Sequence, residues 1–244
     1  MQLSDTQKTL IAQLKDGLIV SCQAKKTDPI YLPEIIEKMA ASAIWGGANG
    51  LRIDTPMNIT AVRVLTKLPI IGLWKLYHKE SDVFITPTLE AVAAVIKAGA
   101  DVVAVDATNR QTAEGEMAYD IIKKIKKHYP DTLILADIRN ETEAERALDL
   151  GAHMVAPTLY RFDPDAKSTE DPDFNMLARI VKVAQGKGFV LMEGKIHTPE
   201  QALESLFHGA HSVVVGSTIT RPHLTTLRFT RKMSHYENDI PLYY

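Results

Sequence analysis

Along the chain, short apolar runs alternate with longer segments in which apolar residues recur at helical spacing. That is the pattern of repeated strand–helix units and a parallel sheet. Eight runs stand out: Gly17 to Cys22, Asn49 to Ile53, Leu68 to Trp74, Asp101 to Ala107, Thr132 to Ile138, His153 to Leu159, Gly188 to Glu193 and Ser212 to Ser217. Eight units of roughly 30 residues each predict an α/β fold, the (β/α)8 TIM barrel. A ninth run, Val83 to Thr86, is too short for a strand of its own and is expected in a loop. Gly-Ala pairs occur at Gly47-Ala48, Gly99-Ala100, Gly151-Ala152 and Gly209-Ala210, just ahead of the second, fourth, sixth and eighth runs. Each glycine suits a left-handed helix cap, and a repeat of double units favours a barrel over an open sheet. The segment Asp5 to Lys15 reads as an amphipathic helix that precedes the first strand and covers the barrel floor. The polar stretch Asp163 to Asp173 reads as a long loop after the sixth strand.

Composition narrows the class. The 244 residues are 45% hydrophobic and carry 28 basic against 30 acidic side chains, a formal net charge of -2. Such a balance fits one globular domain over residues 1–244 and speaks against a nucleic-acid partner. No stretch approaches the roughly 20 apolar residues of a membrane span, and the charged N-terminal segment lacks the apolar core of a signal peptide. A cytoplasmic location is expected. The single cysteine, Cys22, excludes an intramolecular disulfide and a cysteine-cluster metal site, and it is expected to point outward as a small buried hydrophobe. The eight histidines are scattered, with His153 and His211 at strand entrances on the barrel floor; no metal site is expected from them.

Barrel chemistry collects where the strands end. Taking alternate residues as inward-facing gives Ile19, Ser21 and Gln23 on the first strand, Gly50 and Arg52 on the second, and Ile71, Leu73 and Lys75 on the third. Asp106, Asp137 and Thr158 end the next three, Glu193 the seventh, and Val213 and Val215 lead to Ser217 on the eighth. Burying so many polar ends at one rim costs desolvation unless they are paired or serve a ligand. Arg52 with Asp106 or Asp137 reads equally well as an ion pair closing the barrel. A Mg²⁺ ion held with a phosphate by Asp106, Asp137 and Glu193 stays open. Lys75 follows six largely apolar residues and Glu193 ends another apolar run, places where an unpaired charge is seldom structural. The loops after the last two strands read Glu193-Gly194-Lys195 and Gly216-Ser217-Thr218. Barrels bind phosphate there through backbone amides, so Gly194, Lys195, Gly216 and Ser217 are the candidate phosphate cradle. Arg221, just before Pro222, is placed to reach the same anion.

From Gly17 to about Phe229 the chain resembles the N-acetylmannosamine-6-phosphate 2-epimerases. The resemblance rests on Gly-Leu-Ile-Val-Ser-Cys-Gln-Ala at 17–24, Pro-Ile-Ile-Gly-Leu-Trp-Lys at 69–75, Asp-Val-Phe-Ile-Thr-Pro-Thr at 82–88, Val-Asp-Ala-Thr at 105–108, Ala-Asp-Ile at 136–138, Glu-Gly-Lys-Ile at 193–196 and Val-Val-Gly-Ser-Thr-Ile-Thr-Arg-Pro at 214–222. It implies an isomerase of amino sugar and sialic acid catabolism that works without a cofactor. It further implies that Lys75 moves the C2 proton, that Glu193 serves the sugar hydroxyls, and that Gln23, Arg52, Asp137 and Arg221 bind substrate. A homodimer packed through C-terminal helices is implied in the same way. The chain departs from the family pattern at Leu76-Tyr77-His78, at Tyr160-Arg161-Phe162 and at Lys195, all in loops that bear on which sugar is accepted.

The implied chemistry is coherent. Opening the sugar ring places the C2 hydrogen next to an aldehyde, where a base of near-neutral pKa can remove it and an acid can return it on the other face. Two other readings of these residues remain: a lyase or aldolase in which Lys75 forms a Schiff base, and a non-catalytic barrel that only binds a phosphosugar.

Overall fold

The computed structural model describes residues 3–164, 166 and 171–234. Eight parallel strands close into a barrel in the order β1 to β8: Gly17–Cys22, Gly50–Asp54, Ile70–Leu73, Val102–Asp106, Leu133–Asp137, Met154–Ala156, Phe189–Glu193 and Ser212–Val215. Helix α1 (Asp5–Leu14) precedes the first strand. Helices α2 (Pro33–Trp45), α3 (Pro56–Arg63), α4 (Leu89–Lys97), α5 (Asp120–His128), α6 (Glu141–Asp149), α7 (Phe174–Ala184) and α8 (Pro199–Phe207) lie between successive strands. A short α9 (Ser217–Thr220) and α10 (Pro222–Ser234) follow β8. The two strands that fall furthest short of their apolar runs are bounded by proline: β3 begins after Pro69 and β6 ends before Pro157, since proline has no N–H for the ladder. Val83 to Thr86 does lie in a loop, tied to the end of β3 by Leu76 N–H to Phe84 O and Thr86 N–H to Trp74 O, both 2.9 Å.

The four Gly-Ala pairs end α2, α4, α6 and α8 in one way. Gly47, Gly99, Gly151 and Gly209 have φ of 90°, 102°, 104° and 93°. The alanine N–H that follows reaches back to the carbonyl of the fifth residue before it: Ala43, Val95, Ala147 and Ser205. This is the Schellman closure, in which only glycine adopts the left-handed turn without strain.

Alternation along the strands splits the apolar residues into two layers. Ile19, Ile71, Leu73, Val102, Ala104, Leu133, Leu135, Met154, Leu191 and Val214 fill the barrel. Val20, Cys22, Ile53, Val103, Ile134, Met192, Val213 and Val215 pack outward against the helices. The inward residue of β8 is therefore Val214, not Val213 and Val215 as alternation counted back from Ser217 suggests. Pairing of Val214 with Ile19 and Glu193 sets the register, which a run of three valines leaves unmarked. Cys22 faces outward and is fully buried, its thiol pushed up to about 12 by that burial. Trp74 also packs against the outer layer.

Helix α1 closes the barrel floor. Ser4 and Gln7 form a capping box at its start, and Ile11 and Leu14 enter the inner layer. His211 Nε2 donates to Ile11 O at 2.9 Å, and Gln7 Nε2 donates to Asp131 O at 3.0 Å. His153, also on the floor, accepts the Ile134 N–H at 3.0 Å through Nδ1.

Candidate active site

At the opposite end, the strands deliver polar side chains to the mouth of a cavity of about 1380 Å³. Arg52, on β2, is its electrostatic centre and is 1% exposed. Its guanidinium donates to both carboxylate oxygens of Asp137 at 3.0 and 2.6 Å and to Glu193 Oε2 at 2.5 Å. Burial works against the charge on Arg52, but Asp137 and then Glu193 outweigh it and hold its proton more tightly than usual. The Thr158 hydroxyl donates to Asp137 Oδ1 at 2.6 Å and lies 3.2 Å from Glu193 Oε2. Glu193 is held above the ordinary glutamate range. Burial is the main cause; Arg52 opposes it, and the nearby Asp137 charge adds to it. Asp137 itself is fully buried behind Arg52 and Thr158.

Lys75 stands beside this cluster, two residues beyond β3. Its Nζ donates to Gln23 Oε1 at 2.5 Å, and Gln23 Nε2 donates in turn to Ser21 Oγ at 2.9 Å. Asp54, at the end of β2, accepts the Lys75 backbone N–H at 3.0 Å, and its other oxygen is 3.9 Å from Nζ. Burial lowers the proton affinity of Lys75, against the pull of Asp54. Asp54 is raised by its own burial, opposed by Lys75. Two groups of opposite charge are thus each drawn toward neutrality.

The loops after β7 and β8 form the far wall. Gly194 has φ of 115° and Lys195 of 59°, a sharp turn that presents backbone to the cavity. Thr218 Oγ1 donates to Ile196 O at 2.9 Å, so the two loops hold each other. Gly194, Lys195, Gly216 and Ser217 all line the cavity, as does Arg221. Arg221 is also held by Asp28, whose Oδ2 accepts from Nε at 3.0 Å and Nη2 at 2.6 Å. Tyr77 stacks on Phe84 and Phe84 meets Phe162 edge-on, while Arg161 lies 4.6 Å over the Phe162 ring.

Gln23, Arg52, Lys75, Asp137 and Glu193 therefore meet at one mouth, with the glycine loops and Arg221 lining the same cavity. Asp106 does not join Arg52: it accepts from Arg110 Nη2 at 2.5 Å and from the Thr108 hydroxyl at 2.7 Å. Among the described residues, no group of three or more His, Cys, Asp or Glu side chains is arranged to hold a metal ion. Strand-end reasoning missed Asp54 because the second run was ended at Ile53, although Asp54 is two residues past Arg52 and hence on the same face. It also missed Asp28, for which the sequence carries no local signal.

A closed barrel with acid–base groups gathered where its strands end defines an enzyme of the α/β-barrel class. Residues 36–235 match the NanE family model, described as "Putative N-acetylmannosamine-6-phosphate epimerase". The chain belongs to this family, and so to the epimerases, which are isomerases. Relatives carrying the corresponding 2-epimerase name occur in Listeria monocytogenes, 39% identical over 92% of this chain and 97% of theirs, and in Caldanaerobacter subterraneus, 39% identical over 95% and 98%. Among solved structures, the N-acetylmannosamine-6-phosphate 2-epimerase from Clostridium perfringens superposes with a TM-score of 0.85 at 37% identity, covering 91% of this chain and 96% of that one. Thiamine phosphate pyrophosphorylase from Pyrococcus furiosus, 19% identical with a TM-score of 0.57 over 93% of this chain and all of that one, shares the fold alone.

Proposed function

We propose that this chain interconverts N-acetylmannosamine 6-phosphate and N-acetylglucosamine 6-phosphate by moving the proton at C2, a step in amino sugar and sialic acid catabolism. The observation that supports this most is Lys75: an amine in the cavity whose burial favours the neutral, basic form, facing loops suited to a phosphate. Glu193 carries a proton more readily than an ordinary glutamate and exchanges it with the sugar oxygens as the ring opens and closes. With C1 an aldehyde, the neutral amine of Lys75 takes the C2 proton, and the C–H electron pair moves into an enolate with its charge on the C1 oxygen. Arg52 supplies positive charge to the mouth where that oxyanion develops. Rotation about the C2–C3 bond of the open-chain enolate turns its other face to the ammonium, which returns a proton there, and ring closure completes the exchange. Gln23 and Arg52 bind the sugar, with Asp137 holding Arg52 in place. The loops at Gly194-Lys195 and Gly216-Ser217, with Arg221, bind the phosphate. Exposed Leu227, Phe229 and Met233 on α10 support a homodimer through that helix, which light scattering of purified protein tests directly.

Proton NMR with N-acetylmannosamine 6-phosphate in D₂O tests the activity. The expected product is the glucosamine epimer with deuterium at C2, and Lys75→Ala is expected to lose about 10²–10⁴ of the rate. A folded protein that binds the sugar without exchange at C2 overturns the reading, and so does a borohydride-trapped adduct on Lys75, which points to Schiff-base chemistry instead.

A further inference from the structure

The carboxylate of Asp54 grips one residue at two places. Oδ1 accepts the backbone N–H of Lys75 and Oδ2 faces its Nζ, so main chain and amine are both referred to the end of β2. Asp54 is held just as firmly. Its carbonyl accepts from Asn58 Nδ2 at 3.0 Å, and the next residue, Thr55, adopts φ of 77° and ψ of 138°. That region is nearly closed to a β-branched side chain. The strained turn is pinned by Thr55 N–H to Leu73 O at 2.9 Å, which ties the end of β2 to the strand that carries Lys75.

A neutral amine has two N–H groups and one lone pair. Gln23 Oε1, on the β1 side, accepts one N–H. The Asp54 carboxylate, on the β2 side, attracts the second from 3.9 Å, an ion-pair contact rather than a hydrogen bond. Lys75 also lines the cavity, so the remaining tetrahedral direction is the one left for a bound sugar. We propose that Asp54 is a positioning residue for the reaction, fixing Lys75 so that the lone pair of its neutral amine faces the substrate carbon. The role rests on the proton-transfer reading of Lys75 given above.

The charged groups bearing on Lys75 are Asp54 and Arg52 from β2, Asp137 from β5 and Glu193 from β7. Of these, Asp54 is the strongest influence that holds a proton on Lys75. Replacing it with a neutral acceptor therefore lets the amine lose its proton at lower pH while it is aimed less well. In Asp54→Asn, which retains an oxygen for the Lys75 N–H, kcat is expected to fall about tenfold to a hundredfold with KM within about twofold. The rising limb of the pH–rate profile is expected to move about one pH unit toward acid. Trace acetylation with acetic anhydride across pH, read by peptide mass spectrometry, follows Lys75 without substrate and is expected to show its midpoint moving the same way. Asp54→Ser provides the same comparison if the amide variant does not fold. An unmoved Lys75 midpoint, or an unchanged kcat, overturns the positioning role. Failure of the wild-type protein to exchange C2 in D₂O overturns the epimerase reading instead, and leaves the acetylation midpoint where it was.

Discussion

Arg52 is asked to neutralise two carboxylates at once. Asp137 takes both of its terminal nitrogens, so Glu193 receives only a share of one, and the folded protein holds a proton on Glu193 above the ordinary glutamate range. A carboxyl raised in this way costs stability once it ionises. The cost is absent below the unfolded-state pKa near 4.5 and grows as pH rises through the folded-state value, at about 1.4 kcal/mol for every pH unit between them. Glu193→Gln removes the ionisable group, so it is expected to unfold at higher urea concentration than wild type at pH 8, with the gap closing toward pH 4.5, while turnover is lost. Equilibrium denaturation at the two pH values checks this. Much at this scale was legible in the sequence because a charge after an apolar run is conspicuous: Lys75, Glu193 and Arg52 all declare themselves. Asp28 does not, since it sits in a polar loop and acquires its role from Arg221, 193 residues away along the chain.

At the scale of elements, the strands were legible because each buried run is apolar and bounded by glycine, proline or charge. Their register was legible only where the run alternates in character. Arg52 and Asp137 mark the inner face of β2 and β5, whereas the valines of β8 mark neither face and only pairing with β1 and β7 decides. Helix ends were legible at the four Gly-Ala pairs because left-handed closure selects glycine. Close packing between layers leaves a different glycine with a different task. A Cβ on Gly72, in β3, would lie 2.6 Å from Ala100 Cβ, 2.8 Å from Val95 Cγ1 and 2.9 Å from Ile59 Cδ1. The side chains of α3 and α4 leave no room, so Gly72→Ala must push β3 inward. It is expected to cost about 1–3 kcal/mol in urea denaturation, and to lower kcat as well, because Lys75 lies three residues further along.

Across the whole molecule, chemistry occupies one end of the barrel and closure the other. The floor carries a group that weakens the fold in acid. His153 is 1% exposed and held to about 4, first by burial and then by Lys126, with Nδ1 committed to the Ile134 N–H. The unfolded chain takes up that proton near pH 6.5 and the folded one only near 4, so stability from this group is whole at neutral pH and lost as pH falls through that window. The expected loss is about 3 kcal/mol. Asp54, Asp106 and Glu193, raised by burial, act in the opposite direction, so His153→Gln compared with wild type at pH 7 and pH 4 isolates the histidine: the variant is expected to show the flatter acid side. The same floor bears on biosynthesis. Helix α1 is synthesised before all eight strands, yet its partners are Asp131, His211 and the inner face of a barrel that closes only when β8 pairs with β1. At translation rates of about 5–20 residues per second the wait is roughly 10–40 s. For that interval Ile11 and Leu14 have no finished cavity to enter, so α1 must wait with its apolar face uncovered until the last strand arrives.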